Sequence, residues 1–197
     1  MKICGITRVE DAVAAVSAGA RAVGFVMWPS SPRFIDPYRV QRIVAALPAF
    51  VTTVGVFVNQ SQAEVNGAAA IAGVSAVQLH GDETPDFAAG IGRPVIKALS
   101  QGEGGADDWP SNVVLLVDAH DPIRRGGTGE KADWAAAAAL ARRRWVVLAG
   151  GLHAGNVAEA VATVRPFGLD VSSGVESAPG IKDRVKINAL FEAMHRS

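Results

Sequence analysis

A lone thiol, a strand-end carboxylate and two glycine-bearing loops are the parts of this chain with chemistry to offer. Cys4 is the only cysteine among 197 residues and stands in Lys2-Ile3-Cys4-Gly5-Ile6-Thr7. It has no partner for an intramolecular disulfide. Most free cysteines are small buried hydrophobes. At the end of the first strand of a repeating β/α chain, however, the thiol points to where such folds hold substrates. Asp118 follows five apolar residues, Val113-Val114-Leu115-Leu116-Val117. A carboxylate there costs free energy unless it is paired or neutral. Held neutral, it is a proton donor; paired, it caps a helix or meets Arg124 or Arg125.

The loops suggest what such a pair would act on. Leu148-Ala149-Gly150-Gly151 and Asp170-Val171-Ser172-Ser173-Gly174 follow two late apolar runs, with Pro179-Gly180 beyond. Glycine lets the backbone approach a ligand closely and serine adds donors, so Gly150, Gly151, Asp170, Ser172, Ser173 and Gly174 are candidates for holding phosphate. Read singly, the first motif is a tight turn and the second a helix cap. Arg33 sits in Trp28-Pro29-Ser30-Ser31-Pro32-Arg33-Phe34, a loop stiffened by two prolines. Its rigid charged fork suits a substrate carboxylate, although most loop arginines are only solvated. His80 offers a ligand, a base or a part of the substrate pocket, and a hydrogen-bonded structural role is favoured. Gly126-Gly127-Thr128-Gly129 lacks the lysine and hydroxyl of a P-loop and reads as a flexible lid beside Asp118. His120 and His153 have no partners at metal-ligand spacing, so no metal site is read.

Positioning these groups falls to a regular alternation of strands and helices. Strands are read at 2–4, 22–26, 53–58, 76–79, 95–98, 113–118, 145–149 and 169–171. Helices are read at 8–17, 37–46, 62–72, 85–89, 133–143, 156–164 and 183–195. Thr7, Asp36, Ser61 and Thr84 precede helices as N-caps, with Glu64 completing a capping box after Ser61. Ala18–Val26 and Ala72–His80 repeat one pattern of helix end, glycine and strand. Alternating elements and continuously apolar strands imply parallel βαβ units covered on both faces. Eight strands imply one closed (β/α)8 barrel over residues 1–197, with an open doubly wound sheet as the structural alternative. Residues 100–112 carry three glycines, two adjacent aspartates and a proline, and a loop is expected there in place of the fifth helix.

Composition narrows the partners. Nineteen basic and nineteen acidic residues give a formal charge of zero. The one tight basic cluster, Arg142-Arg143-Arg144, is expected to complement a helix C-terminus. Neither nucleic acid nor membrane is indicated as a partner. With one cysteine and no visible signal peptide, a cytoplasmic protein is expected. No long exposed apolar stripe is apparent, so a monomer is favoured over a homodimer.

Taken together, these motifs resemble the phosphoribosylanthranilate isomerases. The resemblance runs nearly end to end. It rests on Lys2–Thr7, Gly24-Phe25-Val26 with Ser31 and Arg33, Val54–Asn59, Val77-Gln78-Leu79-His80-Gly81, Leu116-Val117-Asp118, Gly126–Gly129, Gly150-Gly151-Leu152 and Asp170–Glu176. It implies a barrel without a cofactor that performs an Amadori rearrangement of N-(5-phosphoribosyl)anthranilate. It further implies that Cys4 is the general base, that Asp118 is the general acid, and that Arg33 holds the anthranilate carboxylate. Two alternatives stand beside it. One is the histidine-pathway aminoaldose isomerase or a bifunctional relative, whose resemblance implies a carboxylate where this chain has Cys4. The other is a non-catalytic barrel that binds phosphometabolites. A free thiol needs help to ionise at neutral pH. Lys2 is expected on the opposite face of the strand, which leaves Arg33 or the Asp118 site to supply that help.

Overall fold

A computed structural model describes residues 1–100, 105–118 and 134–195. Eight parallel strands close a barrel in chain order: β1 Lys2–Ile3, β2 Ala22–Val26, β3 Thr52–Phe57, β4 Ala76–Leu79, β5 Val95–Ser100, β6 Val114–Asp118, β7 Val146–Ala149 and β8 Gly168–Val171. Closure comes from β1 pairing with β8, where Lys2 lies opposite Asp170 and Ile3 opposite Val171. This excludes the open sheet. The helices are α1 Val9–Ser17, α2 Pro37–Val44, α3 Gln62–Ala72, α4 Pro85–Ala89, α5 Trp134–Ala141, α6 Val157–Val164 and α7 Arg184–His195.

Local chemistry explains most of the boundaries. Ser61 caps α3 in a capping box, with its backbone N–H donating to Glu64 at 2.8 Å. Asp36 and Thr84 cap α2 and α4, each followed by proline at the first helical position. Thr7 does not cap α1, whose N-cap is Arg8, a residue with no side-chain capping bond. Instead the Thr7 hydroxyl donates to the Gly180 carbonyl, tying β1 to the chain beyond β8. That later segment is a small antiparallel hairpin, β9 Glu176–Ala178 and β10 Ile181–Lys182, preceded by a 3-10 turn over Ser173–Val175. The sequence reading did not anticipate it.

Among the described residues, no helix joins β5 to β6, as expected; residues 106–108 and 111–112 form turns. Arg144 fastens this connection, donating to the carbonyls of Ala106, Pro110 and Val113. Because α5 stops at Ala141, the arginine cluster stands at its C-terminal end, as expected, and Arg144 there also serves as a clasp. Trp109, Val113 and Leu115 form a satellite core beneath it.

Strand alternation sends Ile3, Val23, Val77, Leu79 and Leu148 into the main core, which they share with helix residues such as Ala12, Val65 and Leu190. Inside the barrel, Ala98, Leu116 and Ala149 pack as a separate cluster. Two cavities flank the barrel interior. One, of about 370 Å³, opens among residues at the N-terminal ends of the strands, and the other, of about 510 Å³, at the C-terminal ends. Gln78 and Leu116 line both, so a single layer of side chains divides them.

Three aromatic residues are exposed just before strands, on the N-terminal side. Phe50 is 95% exposed, and Trp145 stacks on Phe167 with ring centroids 5.8 Å apart. The monomer expectation leaned on the lack of exposed apolar surface, and these rings remove that support. No helix among the described residues is long and apolar enough to cross a membrane.

Candidate active site

The C-terminal cavity collects the residues that the sequence singled out. Cys4 after β1, Arg33 in the loop after β2, His80 after β4 and Asp118 at the end of β6 all line it. So do Gly150 and Gly151 after β7, and Asp170, Ser172, Ser173 and Gly174 on and after β8. Gly127 and His120 lie outside the described residues, as does the expected lid at 126–129.

Cys4 is 8% exposed, and its surroundings correct the reading of Lys2. Residues two apart on a strand share a face, so Lys2 and Cys4 point the same way. The Lys2 Nζ and Cys4 Sγ both crowd the space over Gly24, where a Cβ would lie 3.0 Å from the first and 2.8 Å from the second. Gly24 is therefore the residue that lets the two meet inside the barrel. Burial pushes the Cys4 thiol above its ordinary pKa; Lys2 pulls against this, Asp170 adds to it, and Lys182 opposes it. Lys2 is thus the foremost cation favouring the thiolate.

Lys2 is itself held on two sides. Its Nζ donates to Asp170 Oδ2 at 2.8 Å and to Gln78 Oε1 at 3.0 Å. Burial alone would lower this ammonium, but Asp170 and Cys4 outweigh it and raise the pKa. Asp170, grouped with the phosphate loops by sequence, lines the cavity beside them and also reaches Lys2. Its carboxylate is buried and spends one oxygen on Lys2.

The two loops interlock. Gly150 and Gly151 have φ of +92° and +61°, in the left-handed region that favours glycine. Any side chain at Gly174 would collide with the Leu152 carbonyl oxygen, so the second loop closes directly on the first. Ser172 Oγ donates to the Cys4 carbonyl at 3.2 Å, which fastens the loop to the end of β1.

Arg33 packs across Gly5, where a Cβ would come within 2.6 Å of Arg33 Cδ. Its guanidinium forks onto Glu176, with Nε to Oε1 at 2.9 Å and Nη2 to Oε2 at 2.7 Å. Lys182 Nζ also donates to Glu176, at 2.7 Å. Burial would raise the Glu176 carboxyl, but Arg33 and Lys182 hold it below its ordinary range. The group carries a net charge of +1, cationic toward a ligand yet fixed in geometry. Glu176 and Lys182 escaped sequence reasoning because the hairpin that brings them here did. Gln78 was missed as well. Its signal was a lone polar side chain in an apolar strand, two residues from His80 and so on the same face.

Comparison with known proteins gives this arrangement relatives. The family model described as N-(5'-phosphoribosyl)anthranilate (PRA) isomerase matches residues 1–193. The chain is 50% identical over 194 residues to N-(5'-phosphoribosyl)anthranilate isomerase from Pelobacter propionicus, covering 97% of this chain and 93% of that protein. The crystal structure of phosphoribosyl anthranilate isomerase from Thermotoga maritima is similar with a TM-score of 0.90 and 40% identity, covering 100% and 98% of the two chains. A structure of the isomerase with reduced 1-(o-carboxyphenylamino)-1-deoxyribulose 5-phosphate is similar with a TM-score of 0.87 and 38% identity, covering 100% and 98%.

Proposed function

The chain belongs to the N-(5'-phosphoribosyl)anthranilate isomerase family, and from that premise we propose that Cys4 is the general base and Asp118 the general acid of its reaction. The enzyme converts N-(5'-phosphoribosyl)anthranilate to 1-(2-carboxyphenylamino)-1-deoxyribulose 5-phosphate, a step of tryptophan biosynthesis. One observation carries the residue roles. A thiol and a carboxylate from separate strands line one cavity that also holds Arg33 and the glycine loops.

Asp118 gives its proton to the furanose ring oxygen, the C1′–O bond breaks, and the sugar opens to a protonated Schiff base. The Cys4 thiolate then takes the proton from C2′. The electron pair of that C–H bond forms a C1′–C2′ double bond, and the nitrogen recovers its lone pair. The resulting enolamine becomes the ketone as C1′ gains a proton and the C2′ hydroxyl loses one. Gly150, Gly151, Ser172, Ser173 and Gly174 anchor the phosphate, and Arg33 anchors the carboxylate at the other end. Fixing both ends supplies orientation.

Cys4→Ala and Asp118→Asn are each expected to lower turnover by about 10²- to 10⁴-fold. Arg33→Ala is expected to act chiefly on KM, by about 1.5–3 kcal/mol for a bond to a charged group. Loss of anthranilate-sugar fluorescence measures all three, and full turnover in either of the first two variants overturns the assignment. Running the histidine-pathway aminoaldose in parallel tests for a second activity. A cytoplasmic setting suits a base that must stay a reduced thiol.

A further inference from the structure

We propose that His80 is a fixed hydrogen-bond donor to an oxygen of the opened sugar, locked in its Nε2–H form by Lys2 acting through Gln78. The proposal rests on the reading that this cavity binds the open-chain sugar phosphate.

The assignment follows from the order of donors and acceptors. An ammonium group has three donors and no acceptor. The Gln78 atom 3.0 Å from Lys2 Nζ is therefore the amide oxygen. Asp170, on the other side of Lys2 at 2.8 Å, holds the ammonium in place. With its oxygen turned to Lys2, Gln78 presents Nε2 to His80 Nδ1 at 2.7 Å. An amide nitrogen only donates, so His80 Nδ1 must accept and carries no proton. The neutral ring then bears its proton on Nε2. A cationic imidazole would set two N–H groups against each other.

The surroundings point the same way. Burial lowers the His80 pKa and Lys2 lowers it further, Asp118 and Asp170 act in the opposite sense, and Lys97 joins the first two. His80 lines the cavity, and among the described residues no acceptor is bonded to Nε2. A neutral imidazole placed in this way can polarise a substrate oxygen, but with its only free valence already a proton it cannot act as a base. The C2′ proton therefore does not go to His80. Lys2 and Gln78 are positioning residues for it, and a hydroxyl or carbonyl oxygen is the acceptor class it selects.

The test reads the imidazole directly. In ¹⁵N NMR of the substrate-free wild-type enzyme, assigned by comparison with His80→Ala, His80 is expected to be neutral and protonated at Nε2 through neutral pH. Gln78→Glu keeps the shape but offers His80 only an acceptor, so the proton should appear on Nδ1. Both Gln78→Glu and His80→Ala should lower kcat/KM by about tenfold to a hundredfold. His80→Gln, whose amide nitrogen reaches toward the same place, should recover part of the loss. A wild-type ring protonated at Nδ1, or full kcat/KM in His80→Ala, overturns the proposal. The wild-type spectrum decides it even if Gln78→Glu fails to fold. Cys4→Ala serves as the separate control: if that variant is active, the base assignment fails whatever form the imidazole takes.

Discussion

Lys2→Met would separate what the buried ion pair does for folding from what it does for the thiol. The Lys2 and Asp170 side chains are 7% and 8% exposed, and among the described residues Asp170 Oδ1 has no hydrogen-bond partner. Removing the ammonium strands a buried carboxylate, which costs about 3–5 kcal/mol. With an m value of about 2 kcal/mol per molar, the urea midpoint should fall by about 1.5–2.5 M. The same substitution removes the foremost cation opposing the raised pKa of Cys4. A base must be deprotonated to act, so kcat/KM rises with pH through the Cys4 titration. That limb should move to higher pH in Lys2→Met, and the rate at neutral pH should drop. Adding Asp170→Asn removes the stranded charge. The double variant should regain most of the stability, while its limb stays above the wild-type position because Lys2 outweighs Asp170 at the thiol. Equilibrium urea unfolding and a kcat/KM profile against pH measure the two effects. A limb unmoved in Lys2→Met would show that Lys2 does not tune Cys4. A loss below about 1 kcal/mol would show that the pair is not buried as described.

Two further substitutions follow from the loops and the hairpin. Gly174→Ala forces a methyl against the Leu152 carbonyl, so the two loops must part. Phosphate binding should weaken and KM rise by about tenfold, on the scale of one lost charge-assisted contact; an unchanged KM would mean the loops do not meet at the phosphate. Glu176→Gln leaves Arg33 and the fully buried Lys182 without their anion. The cost should be about 3 kcal/mol, at the low end because Arg33 is a quarter exposed. Acid titration of the wild-type protein should report the same residue. The folded pKa values of Glu176 and of Glu83, whose buried carboxylate accepts from Lys97 Nζ at 2.9 Å, lie below the ordinary 4.5, so their contribution is whole above that value and is lost as pH falls through the lowered ones. Stability that stayed level below pH 4.5 would contradict both ion pairs.

Much of the scaffold was legible because each strand end coincides with a strong local signal. Gln62–Ala72 and Pro85–Ala89 were read to the residue, since a side-chain cap opens each and glycine follows each. Strand ends bring Cys4, His80 and Asp118 to one cavity, because in a closed parallel barrel the C-terminal end of every strand faces one mouth. What escaped depends on pairs distant in sequence. Thr7 looks like a cap until Gly180 is seen to claim its hydroxyl. The tie between Asp170 and Lys2 shows only once β1 lies beside β8. The hairpin was invisible because strands of three and two residues carry almost no periodicity. Lys2 differs, since strand alternation alone puts it on the face of Cys4; the sequence did hold that answer.

The single side-chain layer between the two barrel cavities has a consequence for evolution and engineering. Barrels of this type commonly keep their two ends independent, one tolerant of change for stability and the other reserved for chemistry. Here the partition is as thin as Gln78 and Leu116. A volume change at Val54 or Ile96, beneath it, would pass upward through Gln78 to Lys2 and His80. Repacking the floor for robustness therefore also edits the electrostatics of the thiol, and the two properties cannot drift separately.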